Sequence, residues 1–143
     1  MGDIDADWRV RAIRGATTVS ENSVEAITEA VTELLDALET CNPLDPNSII
    51  SATFSATRDL DAVFPAAIAR QRPQWDNVAL LDVQQMHVEG SLPRCIRFLI
   101  HAYLPVHHTQ IYHPYLRDAR TLRPDLCATP ASLTPQAAKN SGP

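Results

Sequence analysis

The stretch Leu92-Pro-Arg-Cys-Ile-Arg-Phe-Leu-Ile-His-Ala-Tyr-Leu104 decides the fold. Its apolar content is nearly continuous, as in a strand buried on both faces. Such a strand needs neighbours, and the sequence supplies three. Trp8, Val10 and Ala12 alternate with Arg9, Arg11 and Ile13, the period of a strand, and Gly15-Ala-Thr-Thr18 reads as the turn that follows it. Ile49 to Thr57 and Val78 to Val83 are rich in β-formers and read as two more strands. Two helices lie between them. Val24, Ile27, Val31, Leu34, Leu35 and Leu38 recur at helical spacing and predict an amphipathic helix over 23–41. Asn22 with Glu25 resembles a capping box, Asn42-Pro43 ends the helix, and Glu25, Glu29, Glu33 and Asp36 make a solvated face. After a turn at Arg58 to Asp61, a short helix is expected from Ala66 to Arg72, with Pro65 near its first position and Pro73 stopping it. From Ile111 to Leu122 more extended chain is expected, broken by Pro114.

The order strand, helix, strand, helix, strand, strand is that of a small α/β (α+β) domain. No repeat or linker divides it, so a single domain over 1–128 is expected. The polar, Pro-rich tail 129–143 reads as mobile. Two helices cannot cover both faces of such a sheet. An uncovered face is a reason to expect association, and a small closed oligomer is the usual outcome.

Composition narrows the partners. A chain of 143 residues with 45% apolar content is globular and can bury roughly 70% of its unfolded surface. No apolar run approaches the roughly 20 residues that span a bilayer, and the acidic Met1 to Asp7 lacks the apolar region of a secretory signal. A cytoplasmic protein without membrane contact is expected. The net charge of −5 argues against nucleic acid. Cys41, Cys95 and Cys127 read as reduced thiols without metal-ligand spacing. His107-His108 gives no metal site either, because adjacent side chains on an extended segment face opposite ways. Of the 12 basic residues only Lys139 is a lysine. Arginine grips carboxylates with a planar fork that lysine lacks, although codon usage alone could produce the same bias.

Four sequence words go further. Ile13-Arg-Gly-Ala-Thr-Thr-Val19 comes first, then Ser55-Ala-Thr57 with Asp59-Leu-Asp-Ala-Val-Phe-Pro-Ala66. Met86-His-Val-Glu-Gly-Ser-Leu-Pro-Arg-Cys-Ile-Arg97 and Leu122-Arg-Pro-Asp-Leu126 follow. Together they resemble the signature segments of the AroH class of small chorismate mutases, in that family's order and spacing, over about residues 8–126. The resemblance implies a mixed sheet with two helices, assembled as a homotrimer that looks like an α/β barrel, with active sites between subunits. It implies no cofactor and no metal. The implied substrate is chorismate and the product prephenate, on the route to phenylalanine and tyrosine.

Matched position by position, Arg14 and Arg97 look like site arginines, with Tyr115 beside them. Phe64, Ala66, Ala67 and Arg70 resemble a wall supplied by the neighbouring chain. Leu80, Leu81 and Asp82 fall on a strand that touches the substrate ring and hydroxyl. Leu122 and Arg123 fall near the mouth. The chemistry asks for these types. Chorismate carries two carboxylates, a ring hydroxyl and an ether, and its rearrangement breaks one C–O bond while forming one C–C bond, without nucleophile or proton transfer. Catalysis then consists of holding the compact conformer and of donating to the ether oxygen as it gains negative charge. Arg97 is expected at that oxygen, and Arg14, Tyr115 and Arg70 at the carboxylates.

Three positions depart from the family pattern. Gln85 stands where a glutamate commonly accepts the ring hydroxyl, Asp82 where a small residue such as cysteine is common, and Ala67 where a lysine is frequent. Gln85 is expected to serve as the acceptor through its amide oxygen, because Asp82 could replace it only across a bulge. Two other functions remain open from sequence: a chorismate- or prephenate-binding relative that has lost turnover, and a trimeric Rid-type imine deaminase.

Overall fold

A computed structural model describes residues 8–127; the tail expected to be mobile lies outside them. Four strands, β1 (Arg9–Thr18), β2 (Ile49–Ala56), β3 (Ala79–Gln84) and β4 (Cys95–Leu104), form one sheet in the order β1-β4-β2-β3. β4 is antiparallel to both β1 and β2. β2 and β3 are parallel, joined by a crossover through helix α2 (Pro65–Arg70). Helix α1 (Val24–Thr40) connects β1 to β2. No helix among the described residues is long and apolar enough to cross a membrane.

Both helices cover the same face of the sheet. Ile27, Val31, Leu34, Leu35 and Leu38 of α1 pack with Ile13, Phe54, Ile96, Phe98, Ile100 and Leu104 in one cluster. At about 1.5–3 kcal/mol for each fully buried aliphatic side chain, this stripe is the main source of stability. Trp75 is fully buried in the cluster and donates its indole N–H to Glu39 at 2.8 Å. Arg72 meets the same carboxylate at 3.0 Å, so a charge near the core is shared between two donors. Arg72 also pairs with Asp36, and Arg117 with Glu33, so two of the four acids on the outer face of α1 hold ion pairs.

Several local expectations change. Residues 15–18 do not turn: β1 runs through them to Thr18. A Cβ at Gly15 would lie 2.5 Å from the Phe98 ring, so this glycine makes room for an aromatic side chain on the paired strand. The N-cap of α1 is Ser23, whose hydroxyl accepts from Ala26 N–H at 3.1 Å. Asn22 instead binds Asp61 and the Ala62 N–H, which ties the start of α1 to the loop before α2. β4 is not buried on both faces. Its even-numbered residues pack under the helices, whereas Leu99 and Tyr103 are 47% and 46% exposed. The apolar run is continuous because both faces are apolar, and this chain covers one of them. Trp8, Val10, Leu81 and Val83 are also exposed; the strand registers put Val10, Leu81 and Val83 on the open face, and the Trp8 ring stacks on Tyr103. Residues 111–122 are not a strand: short 3-10 turns flank a single bridge between Tyr115 and Ala16. The His107 and His108 rings do not point apart, because the chain turns there and brings their centroids to 4.2 Å.

Candidate functional site

The register of β1 on β4 brings two guanidinium groups to one place. Arg14 pairs with Leu99 and Ala16 with Arg97, so Arg14 and Arg97 occupy diagonal positions on the open face. Such positions lie about 7–8 Å apart. The chain then crosses this face: Ala16 N–H donates to Pro114 O and Leu116 N–H to Ala16 O, both at 2.9 Å. This crossing seats Tyr115 in a small cluster with Ala16 and Ala119, roofed by Leu122 and Leu126. The result is a cavity of about 570 Å³ lined by Arg14, Arg97, Tyr115, Leu122 and Arg123, with Thr53, Ser55 and Leu99. Its size suits a small organic ligand.

Charge is unevenly used there. Arg123 holds Asp125 in a bidentate pair at 3.0 and 2.8 Å. Arg14 and Arg97 form no ion pair among the described residues. Burial pushes the Tyr115 phenol up, against Arg14, Arg123 and Arg97, so it remains an O–H donor. The neighbouring Cys95 thiol is fully buried; burial raises it too, against the field of Arg97, and a neutral thiol does not cancel that charge. Two unneutralised guanidiniums and a phenol facing one cavity suit a carboxylate-bearing ligand.

The remaining candidates gather elsewhere. Phe64 and Asp82 line a second cavity of about 590 Å³, with Thr57, Arg58, Asp61 and Gln84. Phe64 is 69% exposed at the start of α2, followed by buried Ala66, half-buried Ala67 and exposed Arg70. Leu80 packs against the core while Leu81 faces outward, so only main chain at Leu80 could reach a ligand on the open face. Asp82 is half-buried and accepts from Ala66 N–H at 3.0 Å. Burial raises its carboxyl, with that N–H and Arg70 opposing. Gln85 follows β3, and its Oε1 is buried with no hydrogen-bond partner among the described residues. A buried acceptor left unmade is costly in a fold, so this atom suits a donor from outside the chain.

Sequence reasoning passed over Thr53, Ser55 and Leu99, all of which line the first cavity. The signal was present in β2, where Ser51, Thr53 and Ser55 alternate with Ala52, Phe54 and Ala56, the first set facing Arg97 and Leu99. It also passed over His113, which touches Arg14 through the main chain.

Residues 10–126 match the family model described as chorismate mutase type I. The curated protein named chorismate mutase AroH from Bacillus subtilis is 39% identical over 120 residues, covering 84% of this chain and 94% of that one. Its namesake from Thermus thermophilus is 42% identical over 118 residues, covering 82% and 96%. A solved chorismate mutase from Clostridium thermocellum superposes with a TM-score of 0.74 at 41% identity, over 77% of this chain and 97% of that one. Identity at this level over nearly the whole described chain, with the same fold, makes this chain a member of the type I chorismate mutase family.

Proposed function

We propose that this chain converts chorismate to prephenate as a cytoplasmic homotrimer, with each site completed by a neighbouring copy. The observation that carries the reading is the cavity in which Arg14 and Arg97 stand without carboxylate partners among the described residues. A dianion can take the place those partners would have. Arg97 then donates to the ether oxygen, where charge develops as the C–O bond breaks. Arg14 and Tyr115 hold one carboxylate, and Arg70 of the neighbouring copy the other. The Gln85 amide oxygen accepts the ring hydroxyl, and Phe64, Ala66, Ala67 and Leu81, with the main chain of Leu80, form the surface against the ring. Leu122 and Arg123 stand at the mouth. Asp82 already accepts from Ala66 N–H through Oδ1, which favours Gln85 over it as the acceptor.

Two features support the assembly. Arg14, Arg97 and Tyr115 line one cavity while Phe64 and Asp82 line another on the same chain, and the open face exposes Val10, Leu81, Val83, Leu99 and Tyr103. Packing copies through that face would bury the apolar side chains and bring one chain's guanidiniums against the next chain's α2. The test is incubation with chorismate while both its loss and prephenate are followed. Turnover to prephenate is the expected result; tight binding without turnover would favour a binding relative, and neither would sink both readings.

A further inference from the structure

In the sheet order β1 is an edge strand, and its outward main-chain groups need partners. Pro114 and Leu116 serve both groups of Ala16. The Arg14 N–H points to the same edge two residues earlier and is served by a side chain: His113 Nδ1 accepts from it at 3.0 Å. We propose that His113 is a positioning residue for the mutase reaction, which as the neutral Nε2–H tautomer fixes the main chain under Arg14 and on protonation releases it. This rests on the reading that Arg14 grips a substrate carboxylate.

The chemistry of the ring makes the contact a switch. Neutral imidazole has one acceptor nitrogen, whereas imidazolium has two N–H donors and none, so a protonated His113 would turn N–H against N–H at Arg14. Two charged groups face the ring: Arg14 from β1, and Arg123 from the segment that roofs the cavity, with its partner Asp125. Burial, then the charge of Arg14, hold the imidazole below its usual range, and Arg123 adds to the depression. His113 is therefore neutral near pH 7 and titrates below the ordinary histidine value of 6.5. A bound dianion beside Arg14 would favour the cation, so the release belongs to the free enzyme and is read in kcat/KM, not in kcat.

The experiment compares wild type, His113→Asn and His113→Leu in kcat and kcat/KM from about pH 8 to about pH 5, with Tm recorded for each. Asparagine Oδ1 can stand where Nδ1 stands and does not titrate. The expected outcome is a wild-type kcat/KM that falls on the acid side with kcat nearly level. His113→Asn keeps neutral kcat/KM within about twofold and loses the acid fall. His113→Leu raises KM roughly five- to tenfold at neutral pH, the loss of one hydrogen bond. A wild-type KM in His113→Leu, or an acid fall that survives in His113→Asn, overturns the proposal; the asparagine profile decides alone if the leucine variant fails to fold. Wild type without mutase activity would remove the functional reading itself, and this inference with it.

Discussion

The two cavities of this chain differ in how far the fold engages their charged groups. The cavity over β1 and β4 is lined by Arg14, Arg97 and Arg123, and two of these form no ion pair among the described residues. In the cavity beside α2 and β3 the carboxylates are engaged by the fold, Asp82 accepting from Ala66 N–H and Asp61 from Asn22; Phe64 supplies apolar surface, and exposed Arg58 forms no ion pair among the described residues. Arg14 and Arg97 are exposed, so water serves their guanidiniums until a ligand takes its place, whereas a satisfied carboxylate holds architecture. The first cavity offers unpaired guanidiniums to a ligand and the second mainly shape, while the open acceptor of Gln85 lies just past the end of β3.

The sharpest way to break that division is to remove charge from the first cavity. Arg97→Ala should cost roughly 3–4 kcal/mol of transition-state stabilisation, a loss of about 10²–10³ in kcat, by analogy with the loss of an oxyanion donor. A specific rate within a few-fold of wild type would end the proposed mechanism. The division between copies has its own test. Arg97→Ala and Arg70→Ala, each weak alone, should regain activity when unfolded together and refolded as mixed trimers, because some sites then receive both arginines. No gain over either parent would place both arginines in one chain's site.

β3 and the residue that follows it predict smaller effects. Gln85→Ala removes an acceptor that the fold leaves unused, and should lower kcat/KM up to about tenfold. Asp82→Ala should act mainly on stability, by about 1 kcal/mol, the usual loss when a carboxylate at a helix N-terminus is removed. The reverse ranking would return the hydroxyl contact to Asp82. With an amide as acceptor, kcat should stay nearly level through the acid range where a site glutamate would protonate.

What could be read in the sequence followed what is local. The helical stripe Val31, Leu34, Leu35 and Leu38 depends on a period within one element, and α1 lies within one residue of its expected bounds at each end. The four family words marked Arg14 and Arg97 as candidates, and the fold brings both to one cavity. The illegible parts depend on contacts between distant segments. Gly15 looks like a turn until Phe98 is seen against it. Leu99 and Tyr103 look buried until both helices prove to lie on one face. His113 meets Arg14 across 99 positions of sequence. Thr53 and Ser55 were the exception, since simple alternation along β2 marks them as facing Arg97.

The smallest effect separates architecture from chemistry at Asp82. Burial raises its carboxyl above 3.8, even with Ala66 N–H and Arg70 favouring the anion. A group raised on folding contributes stability below its unfolded value and loses it as pH climbs through the folded one. Wild type should therefore lose stability relative to Asp82→Asn on passing from below 3.8 towards neutrality. The amide keeps an oxygen for Ala66 N–H and never ionises. Tm measured against pH for the two proteins should diverge upward across that window, with kcat unchanged at neutral pH. Parallel Tm curves would mean that the carboxylate is fully compensated where it sits. A fall in kcat without divergence would mean that its charge serves the substrate, and the contrast between the two cavities would fail at Asp82.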